Sequence, residues 1–511
     1  MSRSKDNIRI AKNTLLLYFR MLFLMFVTLY TSRIILKALG VEDFGIFSVV
    51  GGIVTVLAFF NAAMSGATQR FFSFELGKGD LKQLGKVFSA ALSIHIAIAL
   101  LVLILSETVG LWFFYNYLNI PPDRLDAGFW VYQFSIATFV VKIVQVPYNA
   151  SIIAHERMGV YAYVSIAEAM LTLLLAFTLT WVEYDKLMLY AMLLFLLTLI
   201  IASIYKIYCT RKFATCRYQF TWDRPLYEEI VRYSGWNLFG NLSFVAKGQG
   251  VNILLNIFFG PAINAARAIA YQLQTAVQAF VANFQMAVNP QIIKLYASEQ
   301  KEAMQHLVFK SARLSYFLLF FLSLPILLET EFILHLWLTV VPEYSVIFTI
   351  LIIINALVDS FSGPLMTSVQ ATGRIKWYQI VVGGMLLLNL PVSYVFLKLG
   401  YSPEITVYIG ITLSLFALVL RLWFLQAMIG ISIGRFFREV MGKALIVSFI
   451  SGILPWFLST TLDAGLIRFL VVGVASAMMV GGAIFAIGLT QNERTFIQQQ
   501  LTRIFAKTNT E

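Results

Sequence analysis

Apolar runs of about twenty residues alternate with short polar breaks along almost the whole chain. Fourteen runs can be marked, at residues 14–36, 45–66, 87–107, 129–150, 160–182, 187–208, 235–258, 265–288, 311–328, 345–369, 378–398, 405–427, 443–462 and 467–490. At about 1.5 Å of rise per residue, each is long enough to cross a hydrocarbon core of about 30 Å as a helix. Lipid offers no partner to a free backbone N–H or C=O, so a spanning segment is either a helix or part of a closed barrel. The runs are continuous, not alternating, which excludes the barrel. The pattern predicts an all-α integral membrane protein of about fourteen transmembrane helices. The first run is too long for the core of a signal peptide, and no small-residue cleavage site follows it, so it is expected to remain as a membrane helix.

One stretch occurs twice. VPYNASIIAHERMGVY (146–161) and GPLMTSVQATGRIKWY (363–378) align at an offset of 217, matching Pro147 to Pro364, Ser151 to Ser368, Ala154 to Ala371, Arg157 to Arg374 and Tyr161 to Tyr378. At an offset of 220, residues 31–88 overlay 251–308, with Gly40 on Gly260. Two offsets that nearly agree point to an internal duplication. Six helices per copy give both copies the same orientation, so the repeat should be parallel, about an axis normal to the membrane. The expected domains are an N-terminal six-helix bundle at 1–220, a second at 221–427, and two further helices with a tail at 428–511. The segment 225–233 and the tail 492–507 both read as amphipathic membrane-surface helices.

Composition sharpens this picture. The chain is 59% hydrophobic and 13% charged, with a mean hydropathy of +0.79, which excludes a soluble protein of this length. The net charge of +12 reads as basic loops facing anionic lipid, because no nucleic-acid-binding motif accompanies it. Lys and Arg cluster at the N-terminus (Arg3, Lys5, Arg9, Lys12) and in the second (Arg70, Lys78, Lys82, Lys86), sixth (Arg211, Lys212, Arg217, Arg224) and twelfth loops (Arg435, Arg438, Lys443). The odd-numbered loops hold few. Even-numbered loops and both termini are therefore expected in the cytoplasm.

The chain offers little for chemistry. It has no glycine-rich phosphate loop followed by lysine and a hydroxyl residue. His155-Glu156 starts like a zinc-protease motif, but no histidine closes it. Cys209 and Cys216 fit no standard zinc spacing and read as inert thiols. Neither enzyme chemistry, nor a metal, nor a resident cofactor is expected.

The informative residues are ionisable groups inside the runs, where a charge costs about 2.5–3.5 kcal/mol on insertion scales and so faces a cavity or a partner. Lys142, Lys247 and Asp359 are the strongest candidates; Lys142 and Asp359 stand 217 apart, at equivalent positions of the two copies, and are expected to face the interior between the bundles. Glu168 is mid-helix and needs a partner. Arg20 and Arg267 are further candidates, and Arg421 reads as snorkelling towards water. Gln249, Gln272 and Gln278 supply amides. Cations and amides together predict a wet, net-positive cavity suited to an anionic cargo such as a diphosphate, with Lys247 and Arg267 expected to hold it first. Prolines 147, 325, 364 and 391 are expected to kink spans.

SRIILKALGVEDFGIFSVV (32–50), ATQRFFSFELGKGD (67–80) and PYNASIIAHERMGVY (147–161), with the twelve-plus-two helix count, resemble the polysaccharide transporters of the multidrug/oligosaccharidyl-lipid/polysaccharide exporter superfamily, nearest to the Wzx-type O-antigen and lipid-linked oligosaccharide flippases. The resemblance implies a MATE-like, V-shaped pair of bundles in a bacterial inner membrane. It implies alternating access for a polyprenyl-diphosphate-linked oligosaccharide, a drive from an H+ or Na+ gradient, and contacts with membrane lipids and other polysaccharide assembly proteins. By position it points to Arg20 and Arg267 as cavity arginines. Two other readings stay open: a multidrug extruder of the same superfamily, for which Asp359 and Glu168 speak, and a membrane polysaccharide polymerase or ligase, which the short external loops disfavour.

Overall fold

The computed structural model describes residues 2–56, 58–117, 120–220, 222–259, 261–338, 341–491 and 493–495. Its regular structure is entirely helical among the described residues. In chain order the helices are α1 (Ser2–Val56), α2 (Ala58–Lys78), α3 (Leu81–Leu105), α4 (Leu111–Tyr117), α5 (Leu125–Ala154), α6 (Met158–Thr178), α7 (Lys186–Lys212), α8 (Arg224–Phe259) and α9 (Pro261–Ala297). They continue as α10 (Lys301–Leu328), α11 (Thr330–Trp337), α12 (Ser345–Ser360), α13 (Ser362–Thr372), α14 (Lys376–Leu387), α15 (Asn389–Lys398), α16 (Ile405–Ile429), α17 (Ile433–Phe436), α18 (Lys443–Thr461) and α19 (Leu466–Ala483). Non-helical backbone at Gly40 (φ 78°, ψ 173°) breaks α1 in two.

Eleven helical segments among the described residues are long and apolar enough to cross a membrane. They correspond to the third to seventh and ninth to fourteenth expected runs. The first two expected runs fall on α1 and α2. The eighth falls on α9, whose glutamines and asparagines dilute its hydropathy. The result is a multi-pass, all-α membrane protein. Polar caps mark several helix starts: Asp80 accepts the Gln83 N–H at 2.8 Å, and Asp185 accepts that of Met188 at 3.1 Å, each meeting an orphan donor of the first turn.

The four prolines act in two ways. Pro147 and Pro325 lie inside continuous helices. Pro364 and Pro391 each stand at the third residue of a helix, just after a break at Phe361 or Leu388. There the missing N–H would have had no intrahelical partner, so the proline costs little and starts a new segment within one span.

The chain divides into two compact units. Unit 1 comprises Met1–Leu242, Met286–Gln300 and Gln370–Gln379. Its core gathers Ile35, Val50, Phe114, Tyr132, Ile136 and Leu187. Tyr132 is fully buried, and its hydroxyl donates to the Ser106 carbonyl at 2.7 Å. At one edge Arg124 bonds both Asp43 and Asp185, tying together α1, α5 and the start of α7. The amphipathic segment 225–233 is the first turns of α8. Its stripe of Leu226, Ile230 and Tyr233 is buried, with Tyr233 edge-on to Phe71 at 5.4 Å. The periodicity holds, but the apolar face is covered by protein where a membrane surface was expected.

Unit 2 comprises Ser243–Gln285, Lys301–Val369 and Ile380–Glu511. Val251, Leu255, Ala270, Phe348 and Ile352 form a core. Arg421 does not snorkel: it is 5% exposed, and its Nη1 donates to Ser362 Oγ at 3.0 Å. Arg313 pairs with Glu493 at 2.7 Å, fixing the start of the tail. The rest of the segment 492–507 lies outside the described residues. The outer faces of α18 and α19 present Phe449, Trp456 and Ile467, as lipid requires.

The two copies of the repeated stretch have the same local form. Each is a helix, a three-residue turn and a second helix: α5, 155–157 and α6 in the first, α13, 373–375 and α14 in the second.

Candidate functional site

Unit 1 contains a cavity of about 730 Å³. Its wall takes Arg20 from α1, Lys142, Gln145 and Asn149 from α5, Tyr161, Ser165 and Glu168 from α6, and Tyr205 from α7. Lys142, Gln145 and Asn149 recur at helical spacing, so one face of α5 is polar where the rest of that helix is apolar. Among the lining residues two are cations and one is a carboxylate.

These charges are uncommitted. The guanidinium of Arg20 lies over the Tyr161 ring at 4.6 Å, and its Nε is buried with no hydrogen-bond partner among the described residues. Neither Lys142 nor Glu168 makes an ion pair among the described residues. The neutral groups are tied down locally: Gln145 donates to Asn149 at 3.3 Å, and Ser165 donates to the Tyr161 carbonyl at 2.7 Å. Free cations beside fixed amides and hydroxyls can receive an anion and hydrogen-bond a polyol.

The other candidates sit in unit 2 and differ among themselves. Arg267 is 4% exposed. It donates to the Gly248 carbonyl at 3.3 Å, to Asn252 Oδ1, and to the Tyr271 hydroxyl at 3.2 Å. That makes it a cross-link between α8 and α9. Lys247 lies within electrostatic reach of Asp359, Arg421 and Arg267. Asp359 accepts from Asn355 at 3.1 Å. Gln249 accepts from Asn252 at 3.3 Å. Gln272 is exposed, and Gln278 keeps a buried Oε1 without a partner among the described residues. The structure thus joins Arg20 with Lys142, and Lys247 with Asp359. It adds Glu168 and Tyr161 to the first pair. Tyr161 was visible in the sequence as the last residue of the repeated stretch.

No family model matches the chain, and no curated protein matches it. Solved structures do. An outward-facing multidrug-resistance MATE family transporter of the MOP superfamily superposes with a TM-score of 0.69 at 11% identity, over 82% of this chain and 96% of that one. The chain has the MATE transporter fold. A MATE transporter in a bent conformation gives 0.71 at 12% identity, over 86% and 97%. A MOP superfamily transporter from Pyrococcus furiosus, described by the reverse polarity of its binding pocket, gives 0.66 at 13% identity, over 82% and 96%. At these identities the likeness fixes the MATE fold and leaves the cargo to the chemistry of the site.

Proposed function

We propose that this chain is a transporter that flips a polyprenyl-diphosphate-linked oligosaccharide from the cytoplasmic to the outer leaflet of a bacterial inner membrane, by alternating access. The observation that carries the reading is the pair Arg20 and Lys142 on the wall of one cavity with no ion pair among the described residues. Cations held at membrane depth without a counter-ion are costly unless they serve a ligand. A lipid-linked sugar brings a constant anion, its diphosphate, and a variable neutral part. Arg20 can grip two phosphate oxygens at once, and Lys142 adds a point charge on a flexible stem. Gln145, Asn149 and Ser165, with Thr198 of α7 on the same wall, can serve sugar hydroxyls. The volume suits a small headgroup, with the polyprenyl tail left in the bilayer. The diphosphate is assigned to Arg20 and Lys142 before Lys247 and Arg267, because Arg267 is committed to Gly248 and Asn252 and Lys247 has Asp359 nearby. Coupling to an H+ or Na+ gradient belongs to the same proposal, with Glu168 as the acidic group of the cavity.

A multidrug extruder is the second reading. Glu168 shares its wall with the rings of Tyr161, Tyr190 and Tyr205, and a carboxylate with aromatic faces suits an organic cation. A deletion strain separates the two. A flippase predicts loss of one surface glycan with build-up of its lipid-linked precursor. An extruder predicts unchanged glycan and heightened sensitivity to cationic dyes.

A further inference from the structure

Two tight turns of unit 1 are each gripped by a cation from the other half of the sequence. In the turn between α5 and α6, Glu156 takes a left-handed conformation (φ 59°) and is 6% exposed. Its Oε1 receives Lys294 Nζ at 2.6 Å, and its Oε2 receives Gln291 Nε2 at 3.0 Å, both from α9. Its carbonyl accepts Asn13 Nδ2 from α1 at 3.3 Å. In the turn between α13 and α14, Gly373 is left-handed (φ 74°). There Arg70 of α2 donates through Nε to the Gln370 carbonyl at 3.1 Å and through Nη2 to that of Ala371 at 3.2 Å. Those carbonyls end α13, where the dipole favours a cation; that of Gln370 also accepts the Gly373 N–H at 3.0 Å. Arg70 is 4% exposed, against Phe71, Phe74 and Tyr233.

The arrangement is reciprocal. Helices α2 and α9 correspond at the 220 offset, and the turns correspond at the 217 offset. In each clasp the end of the second helix of one copy holds the turn after the fourth helix of the other. The ends of α2 and α9 also meet directly: a Cβ on Gly77 would stand 2.6 Å from the Lys294 carbonyl oxygen and 2.7 Å from the Ala297 Cβ, so only glycine allows the contact.

The chemistry of the clasps suits release. Interlocked apolar side chains lose their contacts outright when parted. Carboxylate, ammonium, guanidinium and carbonyl groups that part into water exchange one set of hydrogen bonds for another. All the gripping segments are even-numbered loops or the helix ends beside them, on the side that the Lys and Arg pattern assigns to the cytoplasm.

We propose that Glu156–Lys294 and Arg70–Gln370/Ala371 are the two halves of a releasable latch on the cytoplasmic side, closed in this structure and parted whenever cargo enters from the cytoplasm. The proposal rests on the transporter reading, but its test needs no cargo. A Ser65→Cys probe on the cavity wall, in a Cys209→Ser, Cys216→Ser background, is labelled with a membrane-impermeant maleimide from either side of the membrane. Glu156→Gln or Lys294→Met should speed labelling from the cytoplasmic side about tenfold and slow it from outside. The two together should do no more than either alone, because they break one bond. Arg70→Met should add to them, and Lys294→Arg should stay near the parent rate. Unchanged cytoplasmic labelling in all three single variants, or a rise from both sides alike, as loss of fold would give, overturns the latch. Labelling from one side only in every variant would instead count against alternating access itself.

Discussion

The guanidinium of Arg20 stands 4.6 Å from the centre of the Tyr161 ring. The contact joins the first helix to the last residue of the first repeated stretch. A ring face attracts a cation without neutralising it, whereas a carboxylate would occupy the donors. Arg20 is therefore positioned and still available to an anion. Tyr161→Phe keeps the ring and should retain cargo affinity. Tyr161→Ala should lower it roughly twofold to thirtyfold, the value of a cation–π contact of about 0.5–2 kcal/mol. Binding of a polyprenyl-diphosphate sugar to the purified protein measures this, and equal affinity in both variants would detach Tyr161 from the site.

Arg267 should behave as a structural residue. Arg267→Ala leaves the Asn252 Oδ1 without its donor and should cost about 1–3 kcal/mol of stability. Thermal unfolding in detergent reads it, with Lys247→Ala as the comparison that changes little. An Arg267→Ala protein that unfolds at the parent temperature yet loses cargo binding would return Arg267 to the cargo site.

The Arg124 cluster sets a dependence on acid. Burial at Asp185 opposes ionisation, but hydrogen bonds from Arg124 and from the Met188 N–H outweigh it and hold the carboxyl below its usual value. A depressed folded pKa stabilises above the ordinary aspartate range, and that stability is lost as pH falls through the folded value. Melting temperature should therefore decline on acidification, and Arg124→Ala should flatten that limb. An unaltered pH profile in the variant would count against the cluster as its source.

Much of the fold was legible because lipid imposes a coarse rule: a long apolar run is a helix. The helix–turn–helix form of both repeated stretches was legible as well, from proline, a polar turn and an arginine. The direction in which each charge points was not. Arg421 turns to Ser362 and Arg267 to Asn252, partners on other helices that no single-helix pattern reveals. Arg70 read as one of many loop cations but is buried against two carbonyls. Glu156 looked like a fragment of a zinc motif, and its ion pair spans 138 residues of sequence.

Topology has its own check. Asp123 lies in an odd-numbered loop and Gly79 in an even-numbered one. In a background lacking Cys209 and Cys216, an impermeant thiol reagent applied outside should label Asp123→Cys and spare Gly79→Cys. The reverse pattern would invert the orientation.

The central claim is that the cavity of unit 1 carries the diphosphate of a lipid-linked sugar. Its most direct test is flipping of a labelled polyprenyl-diphosphate oligosaccharide in proteoliposomes, comparing the parent protein with Arg20→Ala, Lys142→Ala and the double variant at matched protein levels. The account predicts flipping by the parent, a marked loss in each single variant, and transport indistinguishable from empty liposomes in the double variant. Undiminished flipping by the double variant, or none by the parent while it exports an organic cation, would contradict it.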